Sequence, residues 1–301
     1  MQVMHVAGGR GRSRWPALGA LLVVGLALLG TACQPPTSYV ALGDSYTAGP
    51  VIPVQRTDYP GCLRSDHNYP ALIKSSVGQP VFRDASCSGA QTKDMTQTQH
   101  VSPSPDNPPQ FDRLDATTRV VTIGIGGNDI GFTEIAESCS SPTPTGTPCQ
   151  DQWVKGGDDL ITDRINATAP KVAAVLQGIH ARSPQARVYV VGYPAILPES
   201  GPGCWPTMPI TPGDVPYLRA KEKELNAMLS AQAAANGAVF VDTYTPSIGH
   251  DACQLPTVRW VEPVVPVNPA APIHPNAAGM QGMAQAVLAA VQAPTGARVA
   301  G

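Results

Sequence analysis

Charged residues are scarce in this sequence: Asp, Glu, Lys and Arg make up 14% of its 301 residues, whereas apolar residues make up 43%. A chain with so few charges and so many apolar side chains does not stay unfolded through charge repulsion. The formal net charge is −2, so the sequence also lacks the basic surplus that favours nucleic-acid binding. Phe and Trp occur only four times each, and we therefore expect aliphatic side chains to build the core.

Several chemical motifs are also missing. The sequence has no CxxC pair, no Cys/His cluster with zinc spacing, no Walker loop, no GxGxxG turn after a strand and no HExxH helix. These absences predict an activity that needs neither a metal nor an organic cofactor. Glycine and proline are abundant, with 29 and 32 residues, but they follow no G-X-Y period. That pattern excludes a collagen-like protein and favours a loop-rich globular domain.

The N-terminal segment has the pattern of an export signal. Three arginines precede an apolar run at 15–30, which is short for a membrane span and is followed closely by Cys33. A Cys in this place resembles the lipidated Cys of bacterial lipoproteins, although Gly30 stands where such signals usually carry Leu. We predict a signal peptide at 1–32 and lipidation of Cys33, hence a secreted or cell-envelope protein attached to the membrane through that residue. Cleavage after Ala32 without lipidation and an uncleaved anchor helix are the alternatives.

Six further cysteines favour the same compartment. An even number of cysteines in an exported chain indicates disulfides, and six cysteines allow fifteen pairings. Pairing neighbours along the chain closes the shortest loops. We predict that arrangement: Cys62–Cys87, Cys139–Cys149 and Cys204–Cys253.

Short apolar runs alternate with helical patterns along the rest of the chain. The apolar, largely β-branched runs predict five strands, at 39–42, 81–85, 119–125, 187–191 and 238–241. Helical spacing of apolar residues predicts helices around 161–179 and 218–229, and Pro275 is expected to be the first residue of another that ends near 291. Such alternation predicts an α/β fold for residues 33–301 as one domain. We expect a three-layer α/β/α sandwich around a central, mostly parallel five-stranded sheet.

Three long Pro-rich segments, 133–157, 193–215 and 243–273, are predicted to contain little helix. Each follows the carboxyl end of a predicted strand, which is the edge at which open α/β sheets bind ligands. We therefore expect these segments to form the walls of a ligand crevice.

Four residues suited to catalysis lie at the same edge. Ser45 follows the first strand, so its hydroxyl group can project above the sheet, and His274 lies at a loop–helix junction after the last strand, where its imidazole can activate a serine. Gly89 follows the second strand and can offer a bare backbone N–H, and Asn128 follows the third and can offer an amide donor. Ser45, Gly89 and Asn128 also have a simpler interpretation, as helix caps or turn residues.

The other histidines downstream of the signal lack such a setting. His250 lies beside Asp251 and near Cys253, and we predict a structural role for it within a disulfide loop. His67, His100 and His180 are predicted to be surface residues.

Together these motifs resemble the SGNH (GDSL) hydrolase superfamily. Gly43-Asp44-Ser45 is similar to its nucleophile block, Gly89 to the glycine of its second block, Gly127-Asn128-Asp129 to its third block, and His274 to the base of its last block. The resemblance covers about residues 36–292. The stretches at 65–70 (SDHNYP) and 128–132 (NDIGF) are similar to the secreted actinobacterial lipases and esterases.

The resemblance implies a flavodoxin-like fold and a serine esterase mechanism. Ser45 would be the nucleophile and His274 its base, and the oxyanion would be held by the N–H groups of Ser45 and Gly89 and the side-chain amide of Asn128. The actinobacterial branch typically carries three disulfides between consecutive cysteines, which agrees with the pairing expected above.

One position departs from the family pattern. The superfamily usually places an Asp three residues before the histidine, and here that residue is Ala271. We predict that the Ala271 backbone carbonyl orients His274 instead. The alternative is a more distant carboxylate, with Glu262, Asp251 and Asp242 as candidates in that order.

The sequence thus predicts an exported, monomeric hydrolase of lipid or small carboxylic esters, a lipase or esterase that could extend to phospholipids. Two alternatives stay open: a carbohydrate acetyl esterase, and an inactive hydrolase fold that serves as an envelope-binding lipoprotein. No nucleic-acid partner is expected.

Overall fold

The computed structural model describes residue 11 and residues 35–294. The predicted signal peptide at 1–32 and the predicted lipidation site at Cys33 lie outside these residues and stay predictions, as do the boundaries of the predicted domain. Within the described residues, no helix combines the length and the apolar character that crossing a membrane requires.

A parallel sheet forms the centre of the fold. The strands are, in chain order, β1 (Ser38–Gly43), β2 (Val81–Asp84), β3 (Thr118–Gly124), β4 (Val154–Lys155), β5 (Asp158–Asp159), β6 (Arg187–Val191) and β7 (Val239–Val241). β4 and β5 pair as a small antiparallel hairpin, and the other five form one sheet in the order β2-β1-β3-β6-β7 with every neighbour parallel. The predicted five-stranded α/β sheet is confirmed. Its strand order is flavodoxin-like, and the order reverses between β1 and β3, where such sheets bind ligands.

Helices flank the sheet on both sides. They are α1 (Ser45–Ala48), α2 (Tyr69–Ile73), α3 (Phe132–Ser138), α4 (Pro148–Trp153), α5 (Leu160–Arg182), α6 (Val215–Ala235) and α7 (Ala277–Gln292), and 3₁₀ turns occur at Pro60–Cys62, Thr92–Met95, Gln110–Arg113 and Thr245–Ser247. The helices predicted around 161–179 and 218–229 are confirmed as parts of α5 and α6. The predicted start of α7 at Pro275 is wrong: the Asn276 side chain accepts the Gly279 N–H and caps the helix, so that α7 begins at Ala277, two residues later.

The expectation that 133–157 contains little helix is also wrong. The segment holds most of α3, all of α4 and the start of the β4–β5 hairpin. α4 begins at Pro148, a favourable first helical residue, but its capping group comes from far along the chain. The Asp214 carboxylate accepts the N–H groups of Cys149 and Gln150, at 3.0 and 2.9 Å. Sequence patterns within a short window do not reveal a cap that lies 64 residues away.

Two apolar clusters fill the space between the sheet and its helices. Alternate residues of β1 point to opposite faces, so that Val40 and Leu42 join one cluster while Tyr39 and Ala41 join the other. The first cluster includes buried residues of α5 and α6, and the second includes buried residues of α2 and α7. This distribution gives the three predicted layers and leaves the carboxyl edge of the sheet to the connecting loops.

Three disulfides join consecutive cysteines, as predicted: Cys62–Cys87, Cys139–Cys149 and Cys204–Cys253. Cys62–Cys87 anchors the segment that leads to Gly89, and the Ser88 N–H donates to the Cys62 carbonyl oxygen at 3.0 Å. The other two tie down segments 133–157, 193–215 and 243–273. The predicted walls of the crevice are therefore covalently restrained.

Cys204–Cys253 closes the longest of the three loops, with a separation of 49 residues, so its loss should have the largest effect on the unfolded chain. We expect the double substitution Cys204→Ala/Cys253→Ala to lower the free energy of unfolding by about 2–4 kcal/mol. Activity of the folded variant should stay within a few-fold of wild type, because neither sulfur reacts. Unfolding in denaturant measures the change in stability. kcat at denaturant concentrations at which the variant is still folded measures the activity. Free thiols at these positions in the oxidised, active protein would contradict the pairing.

Candidate active site

Ser45 lies where β1 turns into α1. Gly43 adopts a φ of +142°, and a Cβ on it would lie 2.5 Å from the Gly124 carbonyl oxygen, so only glycine fits this turn. Asp44 caps α1 by accepting the Tyr46 N–H at 2.9 Å. The turn leaves Ser45 8% exposed, with its side chain at the sheet's carboxyl edge.

His274 meets Ser45 across the crevice. The Ser45 hydroxyl donates to His274 Nε2 at 2.8 Å. On the other side of the ring, Nδ1 lies 2.7 Å from the Pro272 carbonyl oxygen. A carbonyl oxygen can only accept, so Nδ1 carries the proton and Nε2 is free to act as an acceptor.

The prediction of the Ala271 carbonyl as the orienting group is therefore wrong by one residue. The Ala271 carbonyl accepts the backbone N–H of His274 at 3.2 Å, which occupies it in a tight turn. Ile273 has a φ of +58°, a left-handed conformation that turns the chain between Pro272 and His274. This turn brings the Pro272 carbonyl, two residues before the histidine, to Nδ1.

Tyr46 holds the turn before His274 against the segment that carries Ser45. Its hydroxyl donates to the Ile273 carbonyl oxygen at 2.6 Å, and its ring centroid lies 4.9 Å from that of His274. Tyr46, which directly follows Ser45, thus fixes the loop that carries the His274 imidazole. The same hydrogen bond helps to hold Ile273 in its strained left-handed conformation.

None of the three distant carboxylates is hydrogen-bonded to His274. Glu262 is fully buried and accepts N–H groups from Arg259, Val267, Asn268 and Asn276. Burial would raise the pKa of Glu262, but the hydrogen bonds from Asn276 and Asn268 outweigh it and lower that pKa. Glu262 therefore organises the segment before α7. The Asp251 carboxylate accepts the Cys253 backbone N–H and the Gln254 side-chain amide, and the Asp242 carboxylate accepts the backbone N–H groups of residues 244 and 245.

Asn128 and Gly89 lie on two neighbouring loops beside Ser45. The Asn128 amide donates one N–H to the Ala90 carbonyl oxygen at 2.9 Å, and a second N–H remains on the same nitrogen. Gly89 has a φ of +77°, and its backbone N–H, like that of Ser45, donates to no acceptor within residues 35–294. Ser45, Gly89, Asn128 and His274 all line one crevice, so the structure brings together the four residues that the sequence singled out.

The crevice is part of a mostly apolar cavity of about 280 Å³. α3, α5, α6 and the predicted wall segment 193–215 contribute its lining, which includes Ile135, Ile161, Leu197, Met208, Ile210 and Leu225. The segment 243–273 adds Val264 and Ala271. All three predicted wall segments therefore line the site, and the space beside Ser45 suits a hydrocarbon chain.

Comparison with known proteins now identifies the family. The model of the GDSL-like lipase/acylhydrolase family matches residues 41–281, a span that contains Ser45, Gly89, Asn128 and His274. The chain belongs to this family. It is 41% identical over 258 residues to Lipase 2 of Streptomyces coelicolor. The aligned region covers 83% of this chain and 84% of that protein.

Two solved structures share the fold of this hydrolase. One is phospholipase A1 from Streptomyces albidoflavus NA297, with a TM-score of 0.71, 26% identity, and coverage of 86% of this chain and 100% of that chain. The other is the extracellular lipase of Streptomyces rimosus, with a TM-score of 0.70, 28% identity, and coverage of 83% and 98%. The expected SGNH fold is confirmed, and the protein is a carboxylic ester hydrolase.

Several groups that position the site of this hydrolase gave no signal in the sequence. Tyr193 accepts the Gly127 N–H at 2.8 Å and donates its hydroxyl to Asp44 at 2.6 Å, which connects the Asn128 loop to the serine turn. Burial raises the pKa of Asp44 to about 7, although the hydrogen bonds from Tyr193 and Tyr46 oppose this shift. These partners lie far apart along the chain, so only the folded structure reveals them.

Among the described residues, no three His, Cys, Asp or Glu side chains are grouped as metal ligands would be. Ser45, His274 and the neighbouring N–H donors are the kinds of group that acyl transfer to a serine uses.

Proposed function

We propose that this hydrolase cleaves esters through a Ser45 acyl-enzyme, with His274 as the general base and acid. Ser45 Oγ bonds to the ester carbonyl carbon while its proton passes to His274 Nε2. The C–O bond to the alcohol then breaks, and Nε2–H protonates the departing oxygen. Water attacks the acyl-enzyme by the same route and releases the acid, which restores both residues.

One observation carries this proposal: the 2.8 Å hydrogen bond from Ser45 to His274, made beside an apolar cavity of about 280 Å³. The bond supplies a nucleophile with its base, and the cavity supplies a place for the acyl chain. The tetrahedral oxyanion would accept hydrogen bonds from the backbone N–H groups of Ser45 and Gly89 and from the side-chain amide of Asn128.

The cavity also supports a choice of substrate. Its lining of Ile, Leu and Met side chains suits acyl chains longer than acetyl, so we favour a lipase or esterase over a carbohydrate acetyl esterase. Export, with lipidation at Cys33, remains part of the proposal. Export is supported by the three disulfides and by the similarity to an extracellular lipase, whereas lipidation rests on the sequence pattern before Cys33.

Labelling with a fluorophosphonate probe tests the proposal directly. The wild-type protein should form one covalent adduct at Ser45, and Ser45→Ala should form none, whereas Ser88→Ala, on the neighbouring loop, should still label. Initial rates on p-nitrophenyl esters, phospholipids and acetylated sugars then define the substrate. A folded protein that does not label would be an inactive binding protein, and activity confined to acetylated sugars would establish the acetyl esterase.

Burial lowers the pKa of His274 below its usual 6.5, although the hydrogen bond to the Pro272 carbonyl opposes this shift. Since the base must be neutral to accept the Ser45 proton, kcat/KM should fall as the pH drops through the pKa of His274. The acid limb should therefore lie below pH 6.5, the usual value. Rates on a soluble ester between about pH 4.5 and 8 locate this acid limb.

Asp44→Asn serves as a control, because the pKa of Asp44 is about 7. A limb near pH 7 that this substitution removes would contradict the assignment to His274.

The Pro272 carbonyl implies that no carboxylate completes a triad. Single substitutions Glu262→Ala, Asp251→Ala and Asp242→Ala should reduce kcat far less than the roughly 10⁴-fold loss that follows neutralisation of a triad acid. Glu262→Gln is measured alongside, because removing the whole Glu262 side chain would leave several buried donors unpaired. A 10⁴-fold drop in any variant shown to be folded by circular dichroism would refute the dyad.

A further inference from the structure

Besides Asp44, which caps α1, the lining of the acyl cavity contains one further acidic side chain, and the proposed mechanism does not use it. Glu222 lies on α6 and lines the cavity together with Ile196, Leu218 and Leu225. Its two carboxyl oxygens share a single donor, the Ile196 N–H, at 3.2 Å each. Within residues 35–294, Glu222 makes no ion pair and no other side-chain hydrogen bond.

The surroundings of Glu222 disfavour a negative charge. A carboxylate that faces an apolar cavity without a cation is costly, and one shared N–H does little to offset that cost. Lys221, on the same helix, is held by Asp159 and Glu224 at 2.8 and 2.7 Å. Burial raises the pKa of Glu222 to about 8, and two nearby carboxylates add to this effect. The charged groups that shift the pKa of Glu222 are Asp251, Glu199 and Lys223. A charge on Glu222 in turn raises the pKa values of Tyr46 and Tyr244.

With a pKa of about 8, the carboxyl group is mostly protonated at neutral pH and then carries an O–H donor. In the described part of the chain, the hydrogen bonds of this carboxyl group come only from the Ile196 N–H, which cannot accept, and an O–H donor left without a partner in an apolar cavity is unfavourable. The cavity is where a substrate can supply the missing acceptor.

We propose that Glu222 is a specificity-determining residue of the acyl cavity, whose O–H donates a hydrogen bond to an oxygen atom carried by the acyl chain. The preferred substrates would then be esters of hydroxy or oxo acids rather than of plain fatty acids. The inference rests on the proposed function, since it takes the cavity as the acyl site. A site that contains a hydrogen-bonding group discriminates against an analogue that lacks the partner, because the group is then left unpaired.

Positional isomers test this proposal. kcat/KM is measured for octanoate esters that are unsubstituted or carry one hydroxyl group at successive carbons, with wild type, Glu222→Gln and Glu222→Leu. Wild type should prefer one positional isomer to plain octanoate by about tenfold, the order expected for one hydrogen bond. Glu222→Gln keeps a donor and should keep that preference, whereas Glu222→Leu should prefer the plain chain. Gln232→Leu, on the same helix but outside the cavity lining, is the matched control and should behave as wild type.

A pH series distinguishes a hydrogen-bonding role from a merely structural one. Once Glu222 ionises, it can still accept from a hydroxyl group but can no longer donate to a ketone. The rate ratio of oxo to hydroxy ester should therefore fall in wild type as the pH rises through about 8, the pKa of Glu222, and should stay constant in Glu222→Gln. Because both substrates meet the same Ser45 and His274, the ratio is independent of the pKa of His274.

The two levels of proposal fail differently. If Ser45 is not the nucleophile, the probe does not label it and no octanoate ester is cleaved by this route. If Ser45 is labelled and plain octanoate is hydrolysed, but no hydroxylated isomer is preferred, the role of Glu222 is overturned. Retention of the preference in Glu222→Leu would overturn it equally.

Discussion

His274→Ala is expected to reduce kcat by about 10⁶-fold, because a serine without its base is an ordinary alcohol, and loss of the base alone costs as much as loss of the whole catalytic unit. KM should change little, since the imidazole contacts the reacting atoms and the acyl cavity remains intact. Single-turnover rates on a p-nitrophenyl ester measure the loss, and the oxyanion donors should preserve a small residual rate over water.

His250→Ala is the matched control for this substitution. His250 stacks on Trp260 with a centroid separation of 4.7 Å and hydrogen-bonds the Val258 carbonyl at 2.6 Å, so it stabilises its loop and stands apart from Ser45. Its loss should lower the melting temperature while kcat of the folded protein stays within a few-fold of wild type. Comparable losses of kcat in the two variants would mean that His274 acts only through folding.

The sequence was sufficient to predict which residues meet at the site, because each follows the carboxyl end of a parallel strand. Ser45 follows β1, Gly89 follows β2 and Asn128 follows β3, and neighbouring parallel strands end at the same edge. The turn between β1 and α1 requires a glycine at position 43, and that glycine can be read directly from the sequence. Prediction therefore succeeded where a side chain's place depends on strand order and on local backbone chemistry.

Prediction failed where the decisive partner is remote or lies in the backbone. Which carbonyl contacts His274 Nδ1 depends on the left-handed conformation of Ile273. A β-branched residue rarely adopts this conformation, so the sequence does not predict it. α4 depends on a cap from Asp214, and the serine turn depends on Tyr193. In each case a long-range contact selects a local geometry that short-range patterns leave undetermined.

Removal of the Asn128 amide is expected to lower kcat by about 10²–10³-fold with little change in KM, the effect of losing one oxyanion donor. The charge on the oxyanion develops only in the transition state, so a donor aimed at it stabilises that state rather than the bound ester. Asn128→Ala, measured by kcat and KM on one soluble ester, gives this result directly.

The Asn128 amide also tethers two loops, since it donates to the Ala90 carbonyl at 2.9 Å, and a control must separate that role from catalysis. Gln91→Leu removes another tether, the 3.0 Å hydrogen bond to the Asn128 carbonyl, while the Asn128 amide stays in place. A purely structural role would give similar losses in both variants, and a role in the oxyanion hole would give a large kcat loss only in Asn128→Ala. Nearly full kcat in folded Asn128→Ala would remove Asn128 from the hole and leave the N–H groups of Ser45 and Gly89 as its donors.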